Sequence, residues 1–161
     1  MKKRILSALG SLMVFCMVMG VSVINAEASE MKMVDGSYLT TDETSTGYSG
    51  PRTKGVYLMD GECSITKAGR NRVYAYASTT ANQEVKYMAT IVYLDQYQED
   101  LDEWWQIDAW MVEAENDYYL STAKTITVDR GYYYRVRANH IAGDVYPYEE
   151  TASVTNGILV P

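Results

Sequence analysis

Residues 87–94 read Tyr87-Met88-Ala89-Thr90-Ile91-Val92-Tyr93-Leu94. Met88, Thr90, Val92 and Leu94 fall on one face, and Tyr87, Ala89, Ile91 and Tyr93 on the other. A period of two is that of a strand, where successive side chains point to opposite sides. The same step recurs on both sides of this stretch. Residues 71–79 set Val73, Ala75 and Ala77 against Tyr74 and Tyr76, and residues 104–112 set Trp105, Ile107, Ala109 and Met111 against Trp104, Gln106, Asp108 and Trp110. Shorter runs hold Val56 and Leu58, ended by Asp60-Gly61, and then 62–67, ended by Ala68-Gly69. Residues 118–128, 131–140 and 151–160 complete the set, the last interrupted by Asn156-Gly157. Proline is nearly absent from these runs, as ladder hydrogen bonding requires. The pattern predicts an all-β chain, an antiparallel β-sandwich of seven or eight strands over 54–161. The expected core includes Val73, Ala75, Val92, Leu94, Trp105, Ile107, Ile126, Tyr134 and Val136.

The N-terminus has a different character. Lys2, Lys3 and Arg4 precede an uncharged stretch, Ile5 to Ile24, and small residues follow, with Ala26-Glu27-Ala28 as an A-x-A site. That order predicts a secretory signal peptide over 1–26, cleaved after Ala26 or Ala28, with a retained membrane anchor as the rival reading. Residues 27–53, rich in Thr and Ser, have no periodicity and read as a flexible polar arm. The chain has 14 Lys and Arg against 21 Asp and Glu; the signal takes three cations, leaving 11 and a net charge of −10. Such a protein repels nucleic acid and anionic lipid. The expected location is extracellular, with no nucleic-acid partner and no membrane contact after cleavage.

The corner between the sixth and seventh runs carries a resemblance. Val128, Gly131, Tyr134, Val136 and Ala138 stand at offsets 0, 3, 6, 8 and 10. This resembles the corner of fibronectin type III domains, which place Leu, Gly, Tyr, Val and Val there; Arg130 stands where that family has proline. The resemblance implies an immunoglobulin/fibronectin type III-like sandwich in which Tyr134 packs inward and its hydroxyl ties the crossing loop to the strand. Counting from Tyr134 puts Tyr132, Val136 and Ala138 inward and Tyr133, Arg135, Arg137 and Asn139 outward. Three stretches, Ser37-Tyr38-Leu39-Thr40-Thr41-Asp42, Ser78-Thr79-Thr80-Ala81-Asn82 and Gly131 to Ala138, also resemble a family of small secreted proteins of Firmicutes-type bacteria. That family has no assigned activity, so the resemblance bears on secretion and boundaries.

Chemistry-bearing residues are few. Cys16 lies in the signal, so Cys63 has no internal partner; it reads as a buried small hydrophobe or, alternatively, as an intermolecular disulfide. His140 is the only histidine and reads as a rim residue at a strand end. Asp95, Glu99, Asp100, Asp102 and Glu103 read as a solvated hairpin tip, and their spacing does not match a calcium loop. No nucleophile–base pair can be named, so an enzyme is disfavoured, and neither cofactor nor metal is expected. The aromatic content is unusual: 15 Tyr and three Trp. If 85–94, 104–112 and 131–140 share a sheet, Tyr87, Tyr93, Trp104, Trp110, Tyr133, Arg135 and Arg137 face water. Trp104 and Trp110 would then lie roughly 20 Å apart, a span suited to a chain-like ligand. The expected function is a non-catalytic module binding an extracellular glycan or protein surface. The alternative is a purely structural extracellular or envelope protein, with the arginines merely stacked on tyrosine and paired with Asp108.

Overall fold

The structure, a computed structural model, describes residues 31–49 and 55–161. The expected signal peptide and both of its expected cleavage positions lie outside the described residues. The described residues form eleven strands: β1 Met33–Val34, β2 Ser37–Thr40, β3 Thr44–Tyr48, β4 Leu58–Lys67, β5 Arg72–Val85, β6 Tyr87–Gln98, β7 Glu103–Ala114, β8 Asp117–Thr127, β9 Tyr132–Gly143, β10 Glu149–Val154 and β11 Gly157–Val160. They form two sheets. One has the order β1-β2-β11-β9-β6-β7, with β10 also beside β9; the other is β3-β4-β5-β8. Every pairing is antiparallel except β2 with β11. The chain is therefore an all-β sandwich, and β6, β7 and β9 do share a sheet.

Alternation builds the core. Cys63, Ile65, Val73, Ala75 and Ala77 come from one sheet, and Val92, Leu94, Tyr134, Val136, Ala138, Ile158 and Val160 from the other, all fully buried. A second cluster joins Leu58, Ala81, Val85, Met88 and Ala142 at the far end. Tyr134 closes the corner: its buried hydroxyl donates to the Asp129 carbonyl at 2.8 Å and accepts from the Gln96 amide at 3.0 Å. Burial pushes its pKa up to about 12. Tyr132 pairs with the fully buried Val160 and so keeps the inner face, but at the end of its strand it is 42% exposed.

Strand β7 reverses the expected faces. Trp110 pairs with the fully buried Val92, and cross-strand partners share a face, so Trp110 points toward the other sheet. Ile107 and Met111 therefore point outward and are exposed, as is Trp105 (51%), so Trp105 and Ile107 leave the predicted core. The ladder also shifts register between Leu94–Asp108 and Asp95–Gln106. A bulge of this kind inserts one residue and swaps the faces beyond it. Trp104 consequently pairs with Tyr97 on the outer face, while Trp110 is on the inner one.

The polar arm is also corrected. Its described residues form β1, β2 and β3, joined through a turn at Asp35-Gly36 with φ of 47° and 78°, the left-handed values a tight hairpin needs. β2 extends β11 and β3 extends β4, so one short segment supplies an edge strand to each sheet. Apart from Val34, its buried residues are Ser37, Thr40, Ser45 and Gly47 rather than apolar ones, which hides the strands from a hydrophobicity pattern. A Cβ on Gly47 would lie 1.9 Å from the Val154 carbonyl oxygen, so only glycine lets β3 approach there. Asp60-Gly61 is likewise not a turn but part of β4, where Gly61 makes room for the His140 ring.

Candidate functional site

The seven residues expected on one binding face separate into three groups. Trp110 lies between the sheets, donating to the Thr122 hydroxyl at 3.0 Å with the Lys124 ammonium 5.3 Å from its ring centroid. Asp108 bonds that same Lys124 at 2.6 Å, rather than an arginine, and so latches the β7 edge to β8. Tyr87 sits at the opposite end of β6, stacked on Tyr148 at 4.7 Å and donating to the Glu113 carboxylate at 2.5 Å. That hydrogen bond, with burial, pushes its pKa up to about 12. The other five, Tyr93, Trp104, Tyr133, Arg135 and Arg137, lie on the outer face, where Trp104 and Arg135 bond the β1–β2 hairpin.

Arg135 is not on the surface: it is 2% exposed. Its Nε bonds Asp95 Oδ2 at 3.1 Å, its Nη2 bonds Asp35 Oδ2 at 2.8 Å, and its Nη1 reaches the Asp35 carbonyl at 2.8 Å and the Ser37 hydroxyl at 3.1 Å. Its guanidinium also lies 4.5 Å from the Trp104 ring centroid. Asp95, read as part of a solvated tip, is 1% exposed and takes two further bonds from Arg137, at 2.6 and 3.1 Å. Arg137 in turn stacks over Tyr93 at 4.8 Å. Trp104 completes the seam by donating to the Val34 carbonyl at 3.0 Å. The planar, five-donor guanidinium suits this role, because it can satisfy a carboxylate, a carbonyl and a hydroxyl at once. The hairpin is thus clamped onto the sheet by the residues nominated for ligand.

Beside the clamp the outer face stays open. Tyr97 and Tyr133 meet edge to face, with centroids 6.4 Å apart and planes at 76°. Tyr97 is held by Lys32, which donates to its hydroxyl at 2.8 Å, and by donating to Asp102 at 2.7 Å. Lys32 and Asp102 are themselves paired at 2.8 Å, and Lys32 holds the Asp102 carboxyl below its ordinary range. A cavity of about 510 Å³ opens here, lined by Leu39, Thr41, Tyr97, Glu99 and Tyr133 among others. Sequence reasoning named Tyr133 for this face and missed Tyr97. The outward alternation of Tyr93 continues to Tyr97 because β6 runs on to Gln98, past the end at residue 94 that the sequence pattern predicts.

His140 occupies the core and not the rim. It is fully buried, with Nδ1 2.9 Å from the Thr79 hydroxyl and Nε2 2.8 Å from the Ser153 hydroxyl; Thr79 also meets Thr90. The parity of Tyr134, Val136 and Ala138 carries it inward, and Gly61 leaves the space for its ring. Burial drops its pKa to about 4. Cys63 is buried too, and burial pushes its thiol up to about 11. Among the described residues no group of three or more His, Cys, Asp or Glu is placed to hold a metal ion. Compared with family models, curated proteins and solved structures, the chain matches none.

Proposed function

We propose that the chain is a secreted, non-catalytic binding module of fibronectin type III-like build, which contacts an extracellular glycan or protein surface. The observation that carries this is the open cavity beside the hairpin, where an aromatic floor meets charged and hydroxyl side chains. The seal around His140 supports a non-catalytic reading, because the chain's only histidine has no path to an outside substrate. Secretion rests on the N-terminal order of positive, apolar and small residues. The domain type rests on the Tyr134 corner bond and on β6, β7 and β9 lying side by side.

The structural alternative has its own support: Trp104, Arg135 and Arg137 are spent on internal contacts. A glycan array and a cell-retention assay on the purified protein separate the two. Retention on at least one glycan or cell surface is expected, and no retention on either leaves the structural reading.

A further inference from the structure

We propose that the cavity beside the N-terminal hairpin is a subsite for a neutral pyranose ring, with Tyr133 as its stacking platform. This rests on the reading of the chain as a binding module. At about 510 Å³ the cavity is large enough for one or two sugar rings. Tyr133 is half-buried, and Tyr97 meets it edge-on, so the platform ring is fixed before any ligand arrives. Tyr97 cannot turn away, because Lys32 and Asp102 both hold its hydroxyl. Leu39 supplies an apolar wall, and Thr41 and Glu99 supply polar groups at the margin.

A pyranose has an apolar face of C–H groups and a girdle of hydroxyls that both donate and accept. A stacked ring answers the first and a mixed set of donors and acceptors the second. Lys32, Thr41 and Glu99 provide that mixture. The charge then selects among sugars. Lys32 is neutralised by Asp102, whereas Glu99 adds a further negative charge at the rim. A uronic acid or a phosphorylated sugar would meet repulsion there, and a neutral sugar would not. No buried side-chain polar atom among the described residues lacks a partner, so the fold does not depend on the ligand, and the site can fill and empty.

The test is a titration of the isotope-labelled protein with cellotetraose, chitotetraose and an oligogalacturonate, followed by amide NMR. With a neutral oligosaccharide, shifts are expected at 39–41, 97–99 and 133. Tyr133→Phe should bind like the parent, and Tyr133→Ala should bind about tenfold more weakly. The oligogalacturonate should bind more weakly than either neutral probe and should gain on Glu99→Gln. If Tyr133→Ala does not fold, Glu99→Ala in the exposed turn gives the reading instead, with weakened binding expected. An unchanged affinity in the variant, shifts on another surface, or no shifts at about 10 mM of either neutral probe overturns the subsite. If the protein is nonetheless retained on glycans or cells, the binding-module reading survives; if it is retained on neither, both fall.

Discussion

Arg135 and Asp95 meet across β9 and β6 with both side chains 2% exposed, Nε to Oδ2 at 3.1 Å, and the N-terminal hairpin hangs from that pair through Asp35 and Ser37. Two charges taken out of water need full hydrogen bonding to offset the desolvation. Here Asp95 has Arg137 as a second partner, and Arg135 has Asp35. Such pairs are costly to halve, because the remaining charge is stranded.

Asp95→Asn is therefore expected to destabilise the protein by about 3–5 kcal/mol, read from urea unfolding. Arg135→Met should cost less than Asp95→Asn, since Asp95 keeps Arg137 and methionine keeps much of the packing on Trp104. Equal, small effects of under about 1 kcal/mol would place the pair in water.

His140 gives a pH dependence whose sign follows from its depressed pKa of about 4 against about 6.5 unfolded. Above about 6.5 both states are neutral and the stability is fully present. As pH falls from about 6.5 through about 4, the unfolded chain takes up a proton that the folded chain refuses, and stability drops by up to about 3 kcal/mol. Below about 4 the loss levels off. The measurement is the difference between parent and His140→Gln over this window, which removes the carboxylate contributions common to both. Parallel curves would mean that the ring is solvated.

Tyr134→Phe should leave the packing intact and remove the bond to Asp129, at a cost of about 0.5–1.5 kcal/mol. In the parent, spectroscopic titration should show Tyr87 and Tyr134 both ionising well above the ordinary range, and Tyr134→Phe should lose one of these late steps and keep that of Tyr87. A variant as stable as the parent would argue that the corner is held by other contacts.

Trp105 and Trp110 of β7 should behave oppositely to their sequence pattern. Trp105→Ala, at a half-exposed site, should cost under about 1 kcal/mol, whereas Trp110→Ala, which packs on the core, should cost about 2 kcal/mol or more. Thermal melts of the two variants decide it, and the reverse order would return Trp105 to the core.

Much of the sandwich was legible because both inner faces are apolar at a period of two. Val73-Ala75-Ala77 and Met88 to Leu94 announce their burial, and the Tyr134 corner fixes the phase of β9. The face of β7 was not legible, because Trp105-Ile107-Met111 is more apolar than Trp104-Asp108-Trp110. An edge strand half open on both sides has no reason to hide its apolar residues, and the bulge near Asp95 leaves no compositional mark. The N-terminal strands were hidden by Ser37, Ser45 and Gly47, which are buried without being hydrophobic. Arg135 reads as a surface charge because its burial depends on a hairpin about 100 residues away in the chain, and Asp95 is buried with it. The same hairpin creates the cavity wall, so the Tyr97–Tyr133 site could not be assembled from β6 and β9 alone.

Everything proposed for the outer face depends on residues 31–48 being an integral part of the sandwich. Native-state hydrogen exchange measures this directly. The Leu39 amide, bonded to the Lys32 carbonyl at 2.8 Å, and the β3 amides paired with β4 should be protected, with Leu39 loosened selectively by Arg135→Met. Exchange of these amides at the rate of an unstructured chain, while β5, β6 and β9 stay protected, would contradict the clamped hairpin and the cavity it walls.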